Sequence, residues 1–260
     1  MSGRTFRRLR IIGLLFVLFF VGADAILSKM RSTDWDRSLW VVIYPINGDS
    51  SNISSSYIRH LEPATFRPIS HFLSREMKRY GRPLNSPIKF KLHPEVTELP
   101  PRPPEDGAVL KVVLWSLRLR YWAYRMGRLD DGLPEDIRIF VLYHDPATHN
   151  RLGHSLGLEK GLIGVVNAYS SHGMGARNNV VIAHELLHTV GASDKYSPAN
   201  GVPIFPAGYA EPDRKPLYPQ SLAEIMGGRV PLTKDKAKMP AGLKYCVVGE
   251  ITAREIRWID

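Results

Sequence analysis

His184-Glu185-Leu186-Leu187-His188 sets two imidazoles four residues apart with a carboxylate beside the first. On a helix, residues i and i+4 stand one above the other, so both rings can converge on one tetrahedral ion while Glu185 projects next to them. The chemistry open to such a set is metal-assisted hydrolysis. The histidines hold a divalent cation, and Glu185 takes a proton from the water that attacks a polarised carbonyl.

A catalytic zinc takes three protein ligands and leaves one position for water. Gly191, three residues after His188, suits the left-handed conformation that ends a helix, and the reversal brings Asp194 within reach of the same ion. Asp194 is therefore the expected third ligand. Its negative charge makes the ion a weaker Lewis acid than three imidazoles would. Zinc is the expected metal, ahead of manganese, cobalt and iron. The bland alternative is an ordinary helix with a glycine cap and a surface aspartate. Against it, Val180, Val181, Leu187 and Val190 already supply a buried face that has no use for histidines.

The segment from His184 to Asp194 resembles the extended zinc motif of the metzincin metallopeptidases, in the form that ends in aspartate, as in snapalysin-type bacterial proteases. The resemblance implies an α+β, zincin-like fold: a twisted mixed sheet, an active-site helix and an irregular C-terminal lobe. It also implies a methionine-bearing turn under the metal, for which Glu224-Ile225-Met226-Gly227-Gly228 is the candidate, Met226 standing 32 residues after Asp194. A core methionine before a Gly-Gly turn explains the same letters equally well.

Two departures from the family pattern matter. Where some members carry a tyrosine two residues after the methionine, this chain has Gly228, so that role falls to another group such as Tyr196, Tyr209 or Tyr218. Glu211 and Glu224 also stand at a distance closer to that of thermolysin-like proteases, where a glutamate from a second helix completes the site. Pro203, Pro206, Pro212, Pro216 and Pro219 argue against a long helix around Glu211, which leaves Glu224 as the rival to Asp194.

The elements that must position these groups can be read along the chain. Arg4, Arg7, Arg8 and Arg10 precede the apolar run Ile11 to Gly22, followed by Ala23-Asp24-Ala25. Residues 1–30 are expected to be a cleaved signal peptide or an N-terminal membrane anchor, either of which places residues 31–260 on the exocytoplasmic, periplasmic side. Those 31–260 residues suffice for one catalytic domain.

Leu39 to Tyr44 reads as a strand ended by Pro45 and Asn47-Gly48, and Ser55 to Tyr80 as helices broken near Pro63 and Pro68. Ile88 to Leu92 is a second strand. Pro94 to Gly107 holds five prolines and reads as a surface loop. Ala108 to Met126 is expected to be a core helix with a solvated basic side, a surface touching a membrane or nucleic acid being the alternative. Ile137 to Tyr143 and Gly161 to Tyr169 are strands. The resemblance makes the latter the sheet edge along which an extended peptide lies. In the loop that follows, His172 is read as exposed, and Asn178 or Asn179 as the cap of the metal helix. Thr252 to Trp258 is a short closing helix begun by Thr252.

His144, Asp145, His149 and His154 form a loose cluster able to bind a second, structural metal, but its spacing matches no standard zinc pattern. They stand outside the expected site. The lone Cys246, flanked by Val247 and Val248, forms no internal disulfide and reads as a buried thiol.

The formal charge is +10, of which residues 1–25 contribute +3. That balance suits an anionic membrane or wall polymer. No basic and aromatic binding motif accompanies it, so a nucleic-acid partner is not expected. The expected activity is that of an exported zinc endopeptidase acting on peptide or protein. The alternatives are a non-catalytic metal-stabilised scaffold of the cell envelope and an amidase acting on a non-protein amide. Glu185 separates catalyst from scaffold, since a purely structural ion needs no free carboxylate beside an open position.

Overall fold

β-branched and aromatic runs pair side by side into a five-stranded sheet. β1 (Leu39–Asn47) runs parallel to β2 (Ile88–Leu92) on one side and to β3 (Ile137–His144) on the other. β5 (Ile163–Tyr169) adds parallel to β3, and the short β4 (Leu156–Leu158) adds antiparallel to β5. The order is β2-β1-β3-β5-β4, a mixed sheet in an α+β fold. This computed structural model describes residues 34–82, 84, 86–104, 108–127, 135–159 and 161–260. The N-terminal segment read as a signal or anchor lies outside the described residues.

Alternate side chains of the strands enter two separate cores, as a sheet covered on both faces requires. Val41, Ile43, Ile139, Val141, Val166 and Ala168 face one core. It is closed by α1 (Asn52–Arg59), α2 (Arg67–Arg79) and α4 (Gly175–Thr189), through residues such as Ile69, Leu73, Ala183 and Leu186. Val42, Tyr44, Ile46, Phe140 and Val165 face the other, closed by Leu119, Trp122, Ala123 and Met126 of α3 (Val109–Gly127). Phe140 lies at 4.8 Å from the Tyr44 ring and 4.4 Å from that of Trp122.

The structure corrects several local expectations. Pro45 lies inside β1. Its carbonyl accepts from Val96 N on the side where β2 has already ended, and the N and O of one strand residue face the same edge, so the missing N–H breaks no ladder bond. Pro68 sits in the first turn of α2, where a proline N is tolerated, rather than breaking it. Only the second half of α3 is core. Its first turns leave Val109, Leu110, Val113, Leu114 and Leu117 exposed. Among the described residues no helix is long and apolar enough to cross a membrane.

Beyond α4 the chain is mostly irregular, with β6 (Ala223–Glu224) paired to β9 (Cys246–Val247) and β7 (Val230–Pro231) paired to β8 (Ala237–Lys238). It closes with α5 (Glu250–Glu255). Thr252 does not begin that helix. It lies buried within it and donates its hydroxyl to Glu224 at 2.7 Å. Cys246 is buried, and burial pushes its thiol up to about 12. The start and end of the described chain meet where Trp35 Nε1 donates to Ile256 O at 2.7 Å.

Candidate metal centre

α4 carries His184, Glu185 and His188 in its last two turns. Asn178 and Asn179 do not cap it, since the helix begins at Gly175. Asn178 instead brackets the end of β5, accepting from Tyr169 N at 3.1 Å and donating to Tyr169 O at 2.9 Å. Asn179 donates to Thr65 O. Both amides therefore fix the helix against its neighbours. His172 is exposed, as expected.

The helix ends at Val190, and Gly191 takes φ +108°, the left-handed turn its position called for. Asp194 then folds back onto the histidines. His184 Nε2, His188 Nε2 and Asp194 Oδ1 lie 3.1 Å from one another on all three sides. A cation bound at about 2.05 Å with tetrahedral angles would hold its ligands about 3.3 Å apart. The triangle is thus close to the size a metal would need.

The orientation of the rings supports the same fit. His184 Nδ1 donates to Ile225 O at 2.9 Å and His188 Nδ1 to Ala192 O at 2.7 Å. With Nδ1–H held by a carbonyl, each Nε2 presents a lone pair. Two lone pairs and a carboxylate oxygen at contact distance need a cation between them, a proton or a metal. In the metal-free site, burial lowers the pKa of His184, but the Asp194 hydrogen bond, the Glu185 charge and the Ile225 carbonyl outweigh it and the net direction is upward. Burial likewise opposes ionisation of Asp194, and its bonds to His184 and His188 overcome this and hold it well below the carboxylate range.

Glu185 is buried, and its Oε2 has no hydrogen-bond partner. Burial pushes its pKa up against the pull of both histidines. It lines a cleft of about 190 Å³ together with Ser155, Leu156, Gly157, His188, Asp194 and Tyr196. One wall is the edge strand β4. A Cβ on Gly157 would lie 2.4 Å from Glu185 O, so only glycine lets strand and helix approach this closely. The sheet edge is therefore β4 and not β5, which pairs on both sides.

Glu224 is kept from the triangle by its own bonds. It is fully buried in β6 and accepts from Gly227 N at 2.7 Å, Gly249 N at 3.0 Å and the Thr252 hydroxyl. Its segment still serves the site, since it presents Ile225 O to His184 and Met226 O to Lys195 N. Among the three tyrosines, Tyr196 lines the cleft with its ring 6.1 Å from that of His184. Tyr209 and Tyr218 bond each other at 2.7 Å. Glu211 accepts from Ser221 N and Arg214.

Some contributors left no trace in the sequence pattern. Glu255 of α5 accepts from Ser193 N, the Ser193 hydroxyl and Lys195 Nζ, and so grips the residues on either side of Asp194. The Ile225 and Ala192 carbonyls are backbone groups that any residue type supplies.

No protein-family model matches the chain, and no curated protein matches it in sequence. Among solved structures, the chain is similar to a catalytically inactive OgpA from Akkermansia muciniphila in complex with an O-glycopeptide substrate, glycodrosocin. The TM-score is 0.34 with 12% identity, and the match covers 83% of this chain and 58% of that one. The match thus spans less than two thirds of that neighbour's length.

Proposed function

We propose that this chain is a zinc-dependent peptide hydrolase of metzincin type, with His184, His188 and Asp194 as ligands and Glu185 as general base. The observation that carries the reading is the triangle of three acceptor atoms, each 3.1 Å from the others, with an unpartnered buried carboxylate beside it. A zinc ion bound there supplies Lewis acidity to a substrate carbonyl and makes a water acidic enough to react near neutral pH.

The protein's own groups do the rest. Glu185, its pKa raised by burial, accepts the proton of the attacking water and passes it to the leaving amine. Tyr196, at the rim of the cleft, donates its hydroxyl to the oxygen that gains negative charge. β4 offers the free edge of the sheet to an extended peptide, which would pair through its backbone with little sequence preference. Residues 31–260 form the catalytic domain. Residues 1–30 are the signal peptide or membrane anchor that exports it.

The test is zinc content of the purified full chain and digestion of a broad peptide library, each repeated with Glu185→Gln. Cleavage by the parent with zinc retained and cleavage lost in the variant supports the proposal. Zinc held by both with cleavage by neither would make the protein a metal-stabilised scaffold.

A further inference from the structure

We infer that the chain holds a second divalent-metal site, built by Asp49, His144 and His149 at the C-terminal ends of β1 and β3. Their ligand atoms lie within 4.8 Å of one another. His149 Nδ1 stands 3.7 Å from Asp49 Oδ2, and the two imidazole centroids are 5.1 Å apart. Neither Asp145 nor His154 joins them. The Asp145 carboxylate instead accepts from Ala147 N.

The state of His144 carries the inference. Asn167 Nδ2 donates to His154 O at 3.0 Å, which fixes the amide so that its Oδ1 faces His144 Nε2 at 2.9 Å. A carbonyl oxygen accepts only, so the proton of His144 is on Nε2 and Nδ1 carries a lone pair. That Nδ1 is buried and has no partner. An unsatisfied buried acceptor is destabilising, and a cation between Nδ1, Asp49 and His149 would satisfy it. An amide acceptor behind a ligating imidazole is also the arrangement that orients such rings.

The surroundings keep the cluster in place. The His144 ring lies against Gly48, where a Cβ would come within 2.5 Å of it. Gly48 N donates to Tyr143 O, joining the two strand ends. Asp49 accepts from Ser51 N and from Asp145 N at 2.6 Å. His149 Nδ1 also lies 2.9 Å from Thr148 Oγ1, a contact that a small rotation of this half-exposed ring exchanges for the ion. Two imidazole nitrogens and one carboxylate suit zinc or a neighbouring transition metal rather than calcium or magnesium. Water completes the sphere.

The test is zinc stoichiometry by equilibrium dialysis and elemental analysis on the full chain, with folding followed by circular dichroism. The parent is expected to bind two equivalents. His149→Gln should lose one of them by at least about a hundredfold in affinity, and Asp49→Asn likewise. A His184→Ala, His188→Ala double variant should keep the second equivalent, and adding His149→Gln should abolish it. Overturning results are no zinc bound by the His184→Ala, His188→Ala double variant, or zinc binding that the His149 and Asp49 variants leave unchanged. Because the double variant reads this site alone, its outcome is separate from that of the His184 centre.

Discussion

The carbonyl oxygen of Ile225 lies 2.9 Å from Nδ1 of His184. Through that bond the irregular C-terminal half sets the direction of the first ring on α4, as an outer partner does for a metal-bound imidazole. The Gly227-Gly228 turn that presents Ile225 is anchored by Glu224, so a residue that touches no ion still determines where the ion would sit. Glu224→Ala should leave Gly227 N, Gly249 N and the Thr252 hydroxyl without an acceptor and cost about 3 kcal/mol. Asp194→Ala should instead cost less stability and most of the zinc affinity. Denaturation curves and metal titrations of the two variants check this. Zinc affinity lost in Glu224→Ala with stability intact would reverse the assignment.

Glu185→Gln removes the proton acceptor and keeps the shape. Hydrolysis should fall by about 10² to 10⁴-fold with zinc stoichiometry unchanged, as single-turnover assays on metal-loaded protein would read.

Tyr196→Phe should lower kcat by about 10 to 100-fold at unchanged zinc affinity. Tyr209→Phe, whose hydroxyl is bonded to Tyr218, should leave kcat alone. Equal effects of the two substitutions would remove Tyr196 from the reaction.

Metal-free protein should lose stability as pH rises. The folded pKa of His184 is raised, so its contribution is complete below the unfolded value of about 6.5 and disappears as pH passes the folded one. Glu185, raised by burial, adds to the same direction above the ordinary carboxylate range. Asp194, held low, contributes above about pH 4 and is lost only in strong acid. Stability of the chelated protein should therefore peak in mildly acidic solution. Zinc binding needs neutral imidazoles and should strengthen over the same rise. Thermal melts with chelator and with zinc, from about pH 4 to about pH 9, measure both slopes.

Gly157→Ala places a Cβ against Glu185 O and should push β4 from the helix. An overpacking cost of about 1 to 3 kcal/mol and a raised KM for peptide are expected. Melting and steady-state kinetics report them together. An unchanged KM would remove β4 from substrate binding.

How much of this was legible in the sequence follows from where the information resides. His184, Glu185, His188, Gly191 and Asp194 sit in one short segment, and helix geometry with one glycine turn sufficed to bring them together. The four longer strands and α3 were visible in their apolar runs. β4 was not, because its three half-buried residues include Gly157 and carry no alternation. Asn178 and Asn179 looked like caps because the helix begins earlier, at a glycine after a short 3₁₀ turn. Asp49 was hidden by distance along the chain, and it comes beside His144 and His149 only because β1 and β3 pair.

The His184 triangle comes from 11 consecutive residues, whereas Asp49 and His149 stand 100 positions apart. Closing a short loop costs little chain entropy, so the denatured chain keeps some affinity for an ion at the first set. Metal there should raise the melting temperature by less than its dissociation constant implies, because the ion also binds the unfolded ensemble. The second set needs Asp49 brought to His144 and His149 by strand pairing, so an ion held by all three would act mainly on the native state.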